Sequence, residues 1–190
     1  MAFNELNSVE HFIIHQLSGV NLNSNEVQEP KVGYGAQWQY KSAADLNRSV
    51  NEVLIEQELK DALIRLNPEI AAKPELADEV IYKLRAILIS VNQIGLVKAN
   101  EEFFKWLGGD KTMPFGENNR HVPIRIFDFE NLSQNKYIVT NQFRIHHRET
   151  KIPDIVLFIN GIALGVIELK RSKVSVSEGI RQNLDNQHSN

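Results

Sequence analysis

The stretch PDIVLFINGIALGVIELK, from Pro153 to Lys170, constrains the fold more than any other part of the sequence. Its Asn160-Gly161 pair lies between two apolar runs, which is a strong signal for a β-hairpin. The predicted strands cover residues 153–159 and 162–170. Because their residues are nearly all apolar, we expect both faces of the hairpin to be buried inside a sheet.

Three ionisable residues, Asp154, Glu168 and Lys170, interrupt this apolar stretch. Burial of such groups is costly unless they are paired or bound to a metal, which favours a functional site over incidental charge. Carboxylate oxygens suit Mg²⁺, and a lysine beside the metal can orient water or neutralise developing charge. The pattern therefore predicts metal-dependent phosphodiester hydrolysis, although an Asp followed by Glu-x-Lys often occurs by chance.

The register of the hairpin decides whether these charges can meet. A strict two-residue loop places Asp154 opposite Ile167, on the face away from the other two charges, because side chains alternate along a strand. A one-residue irregularity, either a bulge at Gly161 or a bulge elsewhere in the pair, puts all three on one face. A catalytic site here therefore requires such an irregularity.

The remaining periodicities predict an α/β fold with a central mixed β-sheet flanked by helices and a helical block at residues 47–107. Helices are expected over residues 7–17, 47–66, 74–91, 98–107 and 175–187. Segments rich in β-branched and aromatic residues predict strands over 121–130 and 136–147. Asn7 with Glu10 resembles a capping box at the start of the first helix.

Composition and charge exclude several classes of protein. The absence of cysteine excludes disulfides and thiolate zinc sites, and the sequence shows no transmembrane segment or signal peptide, which predicts a cytoplasmic protein. The net charge is −3, yet residues 144–173 contain six basic residues against three acidic ones. This local surplus can attract a polyanion, although a solvated strand edge would carry the same charges.

Several motifs together resemble the N-terminal endonuclease domain of the R subunit (HsdR) of type I restriction enzymes, within the PD-(D/E)xK nuclease superfamily. The motifs are Val9-Glu10, ALIRLNPE, NEEFFKWLGG, FDFEN, VTNQF, PDIVLFINGIALGVIELKRS and EGIRQNLDNQ. The resemblance implies one restriction-endonuclease-like domain over residues 1–190. It also implies that the chain is a fragment of a longer polypeptide with C-terminal helicase/translocase domains.

The resemblance also implies roles for individual residues. Asp154, Glu168 and the Leu169 carbonyl are expected to bind Mg²⁺, with Lys170 as the catalytic lysine. Glu10 matches an acid of the first helix that faces such sites and is a candidate further ligand, although capping alone would also account for it. Gln182 matches the glutamine that follows the Glu-x-Lys strand. The chain departs from the family pattern where a tyrosine, an arginine and a proline are common, at Asn186, Ile152 and Ala163 respectively.

The implied activity is cleavage of double-stranded DNA without sequence readout by this domain. Basic side chains are expected to contact the DNA backbone, namely Arg144, Arg171, Lys173 and Arg181. The implied partners are the methylation and specificity subunits of a restriction-modification complex. ATP is implied for the motor domains, and S-adenosylmethionine is implied for the methylation subunit.

Two alternatives remain open, a recombination or repair nuclease of the same superfamily and a non-catalytic docking module that keeps only the fold. Two further polar pairs are interpreted as structural or surface features. Asn141 and Gln142 are expected to satisfy backbone groups. His146 and His147 point to opposite faces of a strand and so are not expected to share a metal ion.

Overall fold

The computed structural model describes residues 5–22, 38–147 and 149–169, with side chains in the first helix described from Val9 onward. The helices in these ranges are α1 (Glu5–Ser18), α2 (Glu56–Leu66), α3 (Pro68–Ala72), α4 (Leu76–Ile94) and α5 (Leu96–Leu107). The strands are β1 (Trp38–Tyr40), β2 (Thr112–Met113), β3 (Val122–Pro123), β4 (Tyr137–Asn141), β5 (Ile145–His146), β6 (Thr150–Lys151), β7 (Ile155–Ile159) and β8 (Ile162–Ile167). Short 3-10 turns cover Glu117–Asn119 and Leu132–Gln134.

The main sheet has the strand order β1-β4-β7-β8, and β2–β3 and β5–β6 form separate antiparallel ladders. Helices flank this mixed four-stranded sheet, which confirms the predicted α/β class and is compatible with a restriction-endonuclease-like core. None of the helices in the described ranges combines the length and apolar character that spanning a bilayer requires.

The described residues divide into two compact units. The first unit contains residues 5–22, 38–45, 138–147, 149–157 and 164–169. The second unit contains residues 46–137 and 158–163. Strands β4, β7 and β8 each contribute residues to both units.

In the first unit, α1 packs its apolar face on the sheet. Ile14, Val139 and Ile155 are fully buried together, and further apolar side chains pack around them, among them Trp38, Tyr40, Leu157 and Ile167. Burial of one large aliphatic side chain stabilises a fold by about 1.5–3 kcal/mol. This contact accounts for the inward-facing apolar residues of α1, whereas Val9 and Phe12 are exposed. The helix begins at Glu5, so Asn7 lies inside it and the predicted capping box with Glu10 is wrong.

In the second unit, α2 to α5 bury a core that includes Leu59, Leu63, Ile70, Val80 and Leu84. The predicted helical block is confirmed from residue 56 onward, but residues 47–55 are not helical. There the Ser49 N–H donates to a Glu52 carboxylate oxygen at 2.8 Å, and Arg48 donates to the carbonyls of both residues. These local bonds favour a turn over the helix that the apolar spacing predicts.

The predicted strand over residues 121–130 is also mostly wrong, since only Val122–Pro123 pairs with a partner strand. Amide side chains take the place of strand partners in this segment. Asn67 bonds both the N–H and the carbonyl of Arg125, each at 2.8 Å, and Asn135 bonds the N–H of Asp128 at 2.9 Å. The backbone groups are therefore satisfied without a longer ladder.

The predicted strand over residues 136–147 is interrupted. Tyr137–Asn141 forms β4 and Ile145–His146 forms β5, whereas Gln142 adopts a φ of +51°. A left-handed residue cannot continue a β-strand, so the chain changes direction at this point. The interruption separates the two ladders and places Gln142 beside the candidate site described below.

The hairpin turn is anchored in the second unit by Asn160, whose side chain is fully buried. Its Oδ1 accepts from the Lys136 N–H at 2.8 Å and from Arg65 at 3.2 Å. Its Nδ2 donates to the Ile126 carbonyl at 2.8 Å and to Asn135 Oδ1 at 2.9 Å. Four hydrogen bonds use the full capacity of the amide, which explains how so polar a group is buried.

The expectation that both hairpin faces are buried is wrong for β8. This strand stands last in the order of the sheet, and Leu164 and Val166 are 47% and 57% exposed. An end strand is covered on fewer sides than an internal one, so apolar composition overestimates its burial. The cost of burying charge near β8 is correspondingly smaller than the sequence suggests.

Candidate active site

The hairpin that carries the predicted site turns through two residues, Asn160 (φ +49°) and Gly161 (φ +81°). Positive φ at both central residues is typical of a type I′ turn. The bulge at Gly161, one of the two irregularities that would permit a site, is therefore not formed. However, β7 has five residues and β8 has six, so β8 holds one residue more than its partner.

The extra residue lies at Ala163-Leu164. These consecutive side chains are both exposed, whereas side chains of a regular strand alternate between its faces. A Cβ built on Gly165 would lie 3.5 Å from Cβ of Leu157, whereas a strict register would pair Leu157 with Leu164. These observations indicate a one-residue bulge, which is the second of the two predicted irregularities.

The alternation resumes after the bulge with its phase reversed. Ile167 packs in the same cluster as Ile155 and Leu157, so these three side chains share the face that α1 covers. Asp154 directly precedes Ile155, and Glu168 directly follows Ile167. Both side chains therefore point to the face opposite α1. In a regular two-residue hairpin, residues separated by an even number of positions lie on opposite faces. The extra residue in β8 therefore allows Asp154 and Glu168 to share a face.

Asp154 lies directly before β7 and is partly buried. Its Oδ2 accepts a hydrogen bond from the backbone N–H of Leu169 at 2.7 Å. A charged acceptor makes such a bond stronger than one between neutral groups. The bond brings Asp154 to the segment that contains Glu168 and Leu169, which are also partly buried.

Glu10 projects from α1 and is only 4% exposed. Its Oε1 accepts from Asn141 Nδ2 at 2.5 Å and its Oε2 accepts from Gln142 Nε2 at 3.2 Å. Asn141 ends β4 and Gln142 follows it, and both bond a carboxylate side chain. The interpretation that their side chains satisfy backbone groups is therefore wrong. Glu10 likewise has side-chain partners in the strand region in place of the expected capping partner.

Gln142 connects Glu10 to Asp154. Its side chain donates to Glu10, and its backbone N–H donates to the Asp154 carbonyl at 3.0 Å. The left-handed backbone at Gln142 places both donors at the site. Two of the acids suggested by the sequence, one from the first helix and one from the hairpin, are therefore linked through a single residue.

Tyr40, at the end of β1, extends this network. Its hydroxyl donates to Asn141 Oδ1 at 2.8 Å. Burial raises the pKa of the Tyr40 phenol above its ordinary value of 10.0, and the negative charges of Glu10 and Asp45 raise it further. The phenol is therefore protonated and available as a donor at neutral pH.

The donor atoms at this site fit a hard divalent cation. Asp154, Glu168 and the Leu169 carbonyl offer oxygen alone, which Mg²⁺ prefers. Across residues 5–22, 38–147 and 149–169, no group of three or more His, Cys, Asp or Glu side chains is close enough to hold a metal. An ion here would therefore rely on two carboxylates together with carbonyl and water oxygens, as Mg²⁺ commonly does.

Several predicted site residues lie outside the described residues, namely Lys170, Arg171, Lys173, Arg181, Gln182 and Asn186. Arg144 is described and is exposed in the segment between β4 and β5. His146 and His147 are exposed, and His146 Nδ1 lies 2.9 Å from Thr150 Oγ1.

The sequence patterns do not indicate Tyr40, Asn141 or Gln142 as site residues. An Asn-Gln pair directly after the apolar run of β4 is the signal that could have found two of them. Tyr40 gives no such signal, because its contact with Asn141 joins residues 101 positions apart.

Comparisons with known proteins identify relatives of this chain. It is 29% identical over 164 residues to the type I restriction enzyme HindI endonuclease subunit of Haemophilus influenzae, covering 78% of the chain and 15% of that protein. It is 26% identical over 145 residues to the putative type I restriction enzyme MjaIXP endonuclease subunit of Methanocaldococcus jannaschii, covering 72% and 14%. No solved structure matches the chain significantly.

The chain spans about one seventh of the length of these relatives. A family profile described as the type I restriction enzyme R protein N terminus matches residues 3–190, nearly the whole chain. The chain therefore belongs to the family of type I restriction enzyme R protein N-terminal domains.

Proposed function

We propose that this chain is the endonuclease domain of a type I restriction enzyme R subunit and that it hydrolyses phosphodiester bonds of double-stranded DNA with Mg²⁺. The observation that carries the proposal is the hydrogen bond from the Leu169 N–H to Asp154 Oδ2, which brings Asp154 to the Glu-x-Lys segment. Membership of the family and the names of the two relatives support the reaction class.

In this proposal Asp154, Glu168 and the Leu169 carbonyl hold the metal, and Glu10 is a further acid at the same site. Bound Mg²⁺ would supply Lewis-acid stabilisation of the charge that develops on the phosphodiester. Lys170 orients the attacking water and places a positive charge beside the scissile phosphate. Gln182 completes the site from the segment that follows.

DNA is bound through its backbone. Arg144, Arg171, Lys173 and Arg181 supply positive charge that is independent of base sequence. Arg144 is exposed two residues after Gln142, which agrees with this role. The domain has no sequence readout of its own, so recognition belongs to other parts of the enzyme.

We also propose that residues 1–190 form one nuclease domain within a longer cytoplasmic protein. The length of the relatives leaves room for helicase domains C-terminal to it, which would hydrolyse ATP and translocate DNA. The methylation subunit, with S-adenosylmethionine, and the specificity subunit would complete the complex.

The test uses the full-length subunit assembled with its partner subunits. We expect Asp154→Asn and Lys170→Ala each to lower the rate of DNA cleavage by about 100-fold or more, while DNA binding and ATP hydrolysis are retained. Glu101→Gln and Lys98→Ala are matched controls, because both residues are exposed on α5.

Cleavage at the control rate in either Asp154→Asn or Lys170→Ala would refute the proposed site. If both variants cleave normally, the domain is a docking module that keeps only the fold. Equal loss of cleavage, binding and ATP hydrolysis would point to misfolding, which circular dichroism of the same samples detects. Asp154→Glu keeps the charge. This variant should then show whether the loss of cleavage results from loss of the carboxylate or from loss of the fold.

A further inference from the structure

We propose that Asn141, Gln142 and Tyr40 are positioning residues, which hold the Glu10 carboxylate in one orientation beside Asp154 so that it can face a divalent cation. The inference rests on the proposed function, since it assigns a supporting role to residues of the same site. It goes further because it explains why two adjacent amides stand where β4 ends, at Asn141 and Gln142.

The first part of this arrangement is a directed series of hydrogen bonds. The Tyr40 hydroxyl donates to Asn141 Oδ1 at 2.8 Å, and Asn141 Nδ2 donates to Glu10 Oε1 at 2.5 Å. The Glu10 carboxylate only accepts, so the nitrogen of the Asn141 amide faces Glu10 and its oxygen faces the Tyr40 hydroxyl, which donates. Tyr40 thereby satisfies the amide oxygen and holds the Asn141 side chain in place.

The second part is the backbone of Gln142. Its φ of +51° is uncommon for a residue other than glycine, and such strain is retained only where the surroundings determine it. In this conformation its N–H bonds the Asp154 carbonyl and its side chain reaches Glu10 Oε2. Gln142 therefore links the Glu10 side chain to the backbone of Asp154.

The third part is that neutral side chains bond the Glu10 carboxylate. Glu10 is 4% exposed, and the Asn141 and Gln142 groups that donate to it are neutral side-chain amides. An amide donor carries no net charge, whereas a lysine or arginine in the same place would compete with a metal ion. Each oxygen accepts one N–H and retains a further lone pair for a metal or a metal-bound water.

The test measures cation binding as well as cleavage in the full-length assembled enzyme. Fe²⁺ with ascorbate and peroxide cuts the backbone near its own binding site, and Mg²⁺ competition then gives the apparent affinity for Mg²⁺. We expect Asn141→Leu to weaken that affinity about 10-fold or more. Tyr40→Phe should weaken it about 5-fold, since the Asn141 amide keeps its bond to Glu10 but loses the hydrogen bond that holds its oxygen.

Gln142→Gly separates positioning from stability. Glycine adopts positive φ without strain, so the thermal midpoint should be unchanged or higher, while Mg²⁺ affinity falls about 10-fold because the side-chain bond is lost. In a Glu10→Gln background, Asn141→Leu should have no further effect on Mg²⁺ affinity. Asn100→Leu and Tyr82→Phe, at exposed positions of α5 and α4, are the matched controls.

Unchanged Mg²⁺ affinity in Asn141→Leu and Gln142→Gly would overturn the inference, as would a lower thermal midpoint with no change in affinity. The two proposals fail separately. If Asp154→Asn still cleaves DNA, the proposed function is wrong. If Asp154→Asn abolishes cleavage but the Asn141 and Gln142 variants bind Mg²⁺ normally, only the positioning role is wrong.

Discussion

The backbone N–H of Leu169 lies 2.7 Å from Oδ2 of Asp154, although the two residues are separated by a complete hairpin. The contact depends on the bulge at Ala163-Leu164, because a regular two-residue hairpin of the same length would turn Asp154 away from Glu168. A carboxylate at the start of one strand is thereby held at the end of the next.

Deletion of Leu164 should be tolerated. It removes the extra residue, so the hairpin becomes regular while Gly165 still lies opposite Leu157 and Glu168 still lies opposite Asp154. We expect cleavage by the assembled enzyme within about threefold of the unaltered protein, because the register beyond the bulge is preserved. Insertion of one alanine after Leu164 is the matched control and should abolish cleavage, since it moves Glu168 to the other face. Equal activity of the two variants would contradict the register.

Gly161→Ala should destabilise the protein strongly. Gly161 has a φ of +81°, and a Cβ there would lie 2.4 Å from the Ile55 carbonyl oxygen and 2.8 Å from the Leu59 nitrogen. Both atoms belong to the backbone and cannot move aside cheaply, so we expect a loss of about 3 kcal/mol in the free energy of unfolding.

Gly95→Ala is the control, because Gly95 has a φ of +84° but no atom within 4 Å of the added Cβ. Its cost should be about 1 kcal/mol from backbone strain alone. Urea unfolding measures both, and equal losses would exclude the steric explanation.

Asn160→Asp should be destabilising although the side chains have the same shape. The carboxylate cannot donate to the Ile126 carbonyl or to Asn135 Oδ1, and both acceptors would then face a buried negative charge. Arg65 offsets part of this repulsion from the other side. We expect a loss of about 3 kcal/mol in urea unfolding at neutral pH, with partial recovery near pH 4, where the carboxyl gains a proton and one donor. A loss that does not depend on pH would contradict this account.

Alkaline pH should destabilise the protein partly through Tyr40. Burial and the charges of Glu10 and Asp45 raise its pKa above 10.0, so the folded state holds this proton more tightly than the unfolded state does. The resulting stability is fully present below the unfolded pKa and is lost as pH rises through the folded pKa. Above about pH 10, Tyr40→Phe should show a shallower fall in unfolding free energy than the unaltered protein. Tyr82→Phe, at a side chain that is 70% exposed, should keep the original slope. Identical slopes for all three proteins would refute the role of Tyr40.

The sequence predicts most of the features that depend on local chemistry. Helical spacing locates α1, α4 and α5, and the Asn-Gly pair locates the hairpin turn. It also predicts that a site requires an irregularity in the hairpin. The position of that irregularity follows instead from the packing of Leu157 on Gly165 and of Ile167 with Ile155, which are contacts between strands.

The errors have a common physical origin. Residues 47–55 and 121–130 carry apolar patterns, yet side chains such as Glu52, Asn67 and Asn135 bond their backbone groups and replace regular structure. The contacts of Asn67 reach across 58 positions of sequence. Tyr40 and Gln142 enter the candidate site in the same way, through partners that are remote along the chain.

The buried amide of Asn160 also bears on the chemical lifetime of the chain. Asn-Gly is the dipeptide at which asparagine deamidates most readily, because the following nitrogen can attack the side-chain carbonyl. In the folded protein this amide is fully buried and saturated by hydrogen bonds, which hold it away from such attack. Each excursion to the unfolded state exposes the bond, and conversion there places a carboxylate where the fold needs two donors. We therefore expect molecules stored under denaturing conditions to lose the ability to refold as they gain one mass unit at Asn160. The deamidated fraction at this turn then increases with the time that the chain has spent unfolded.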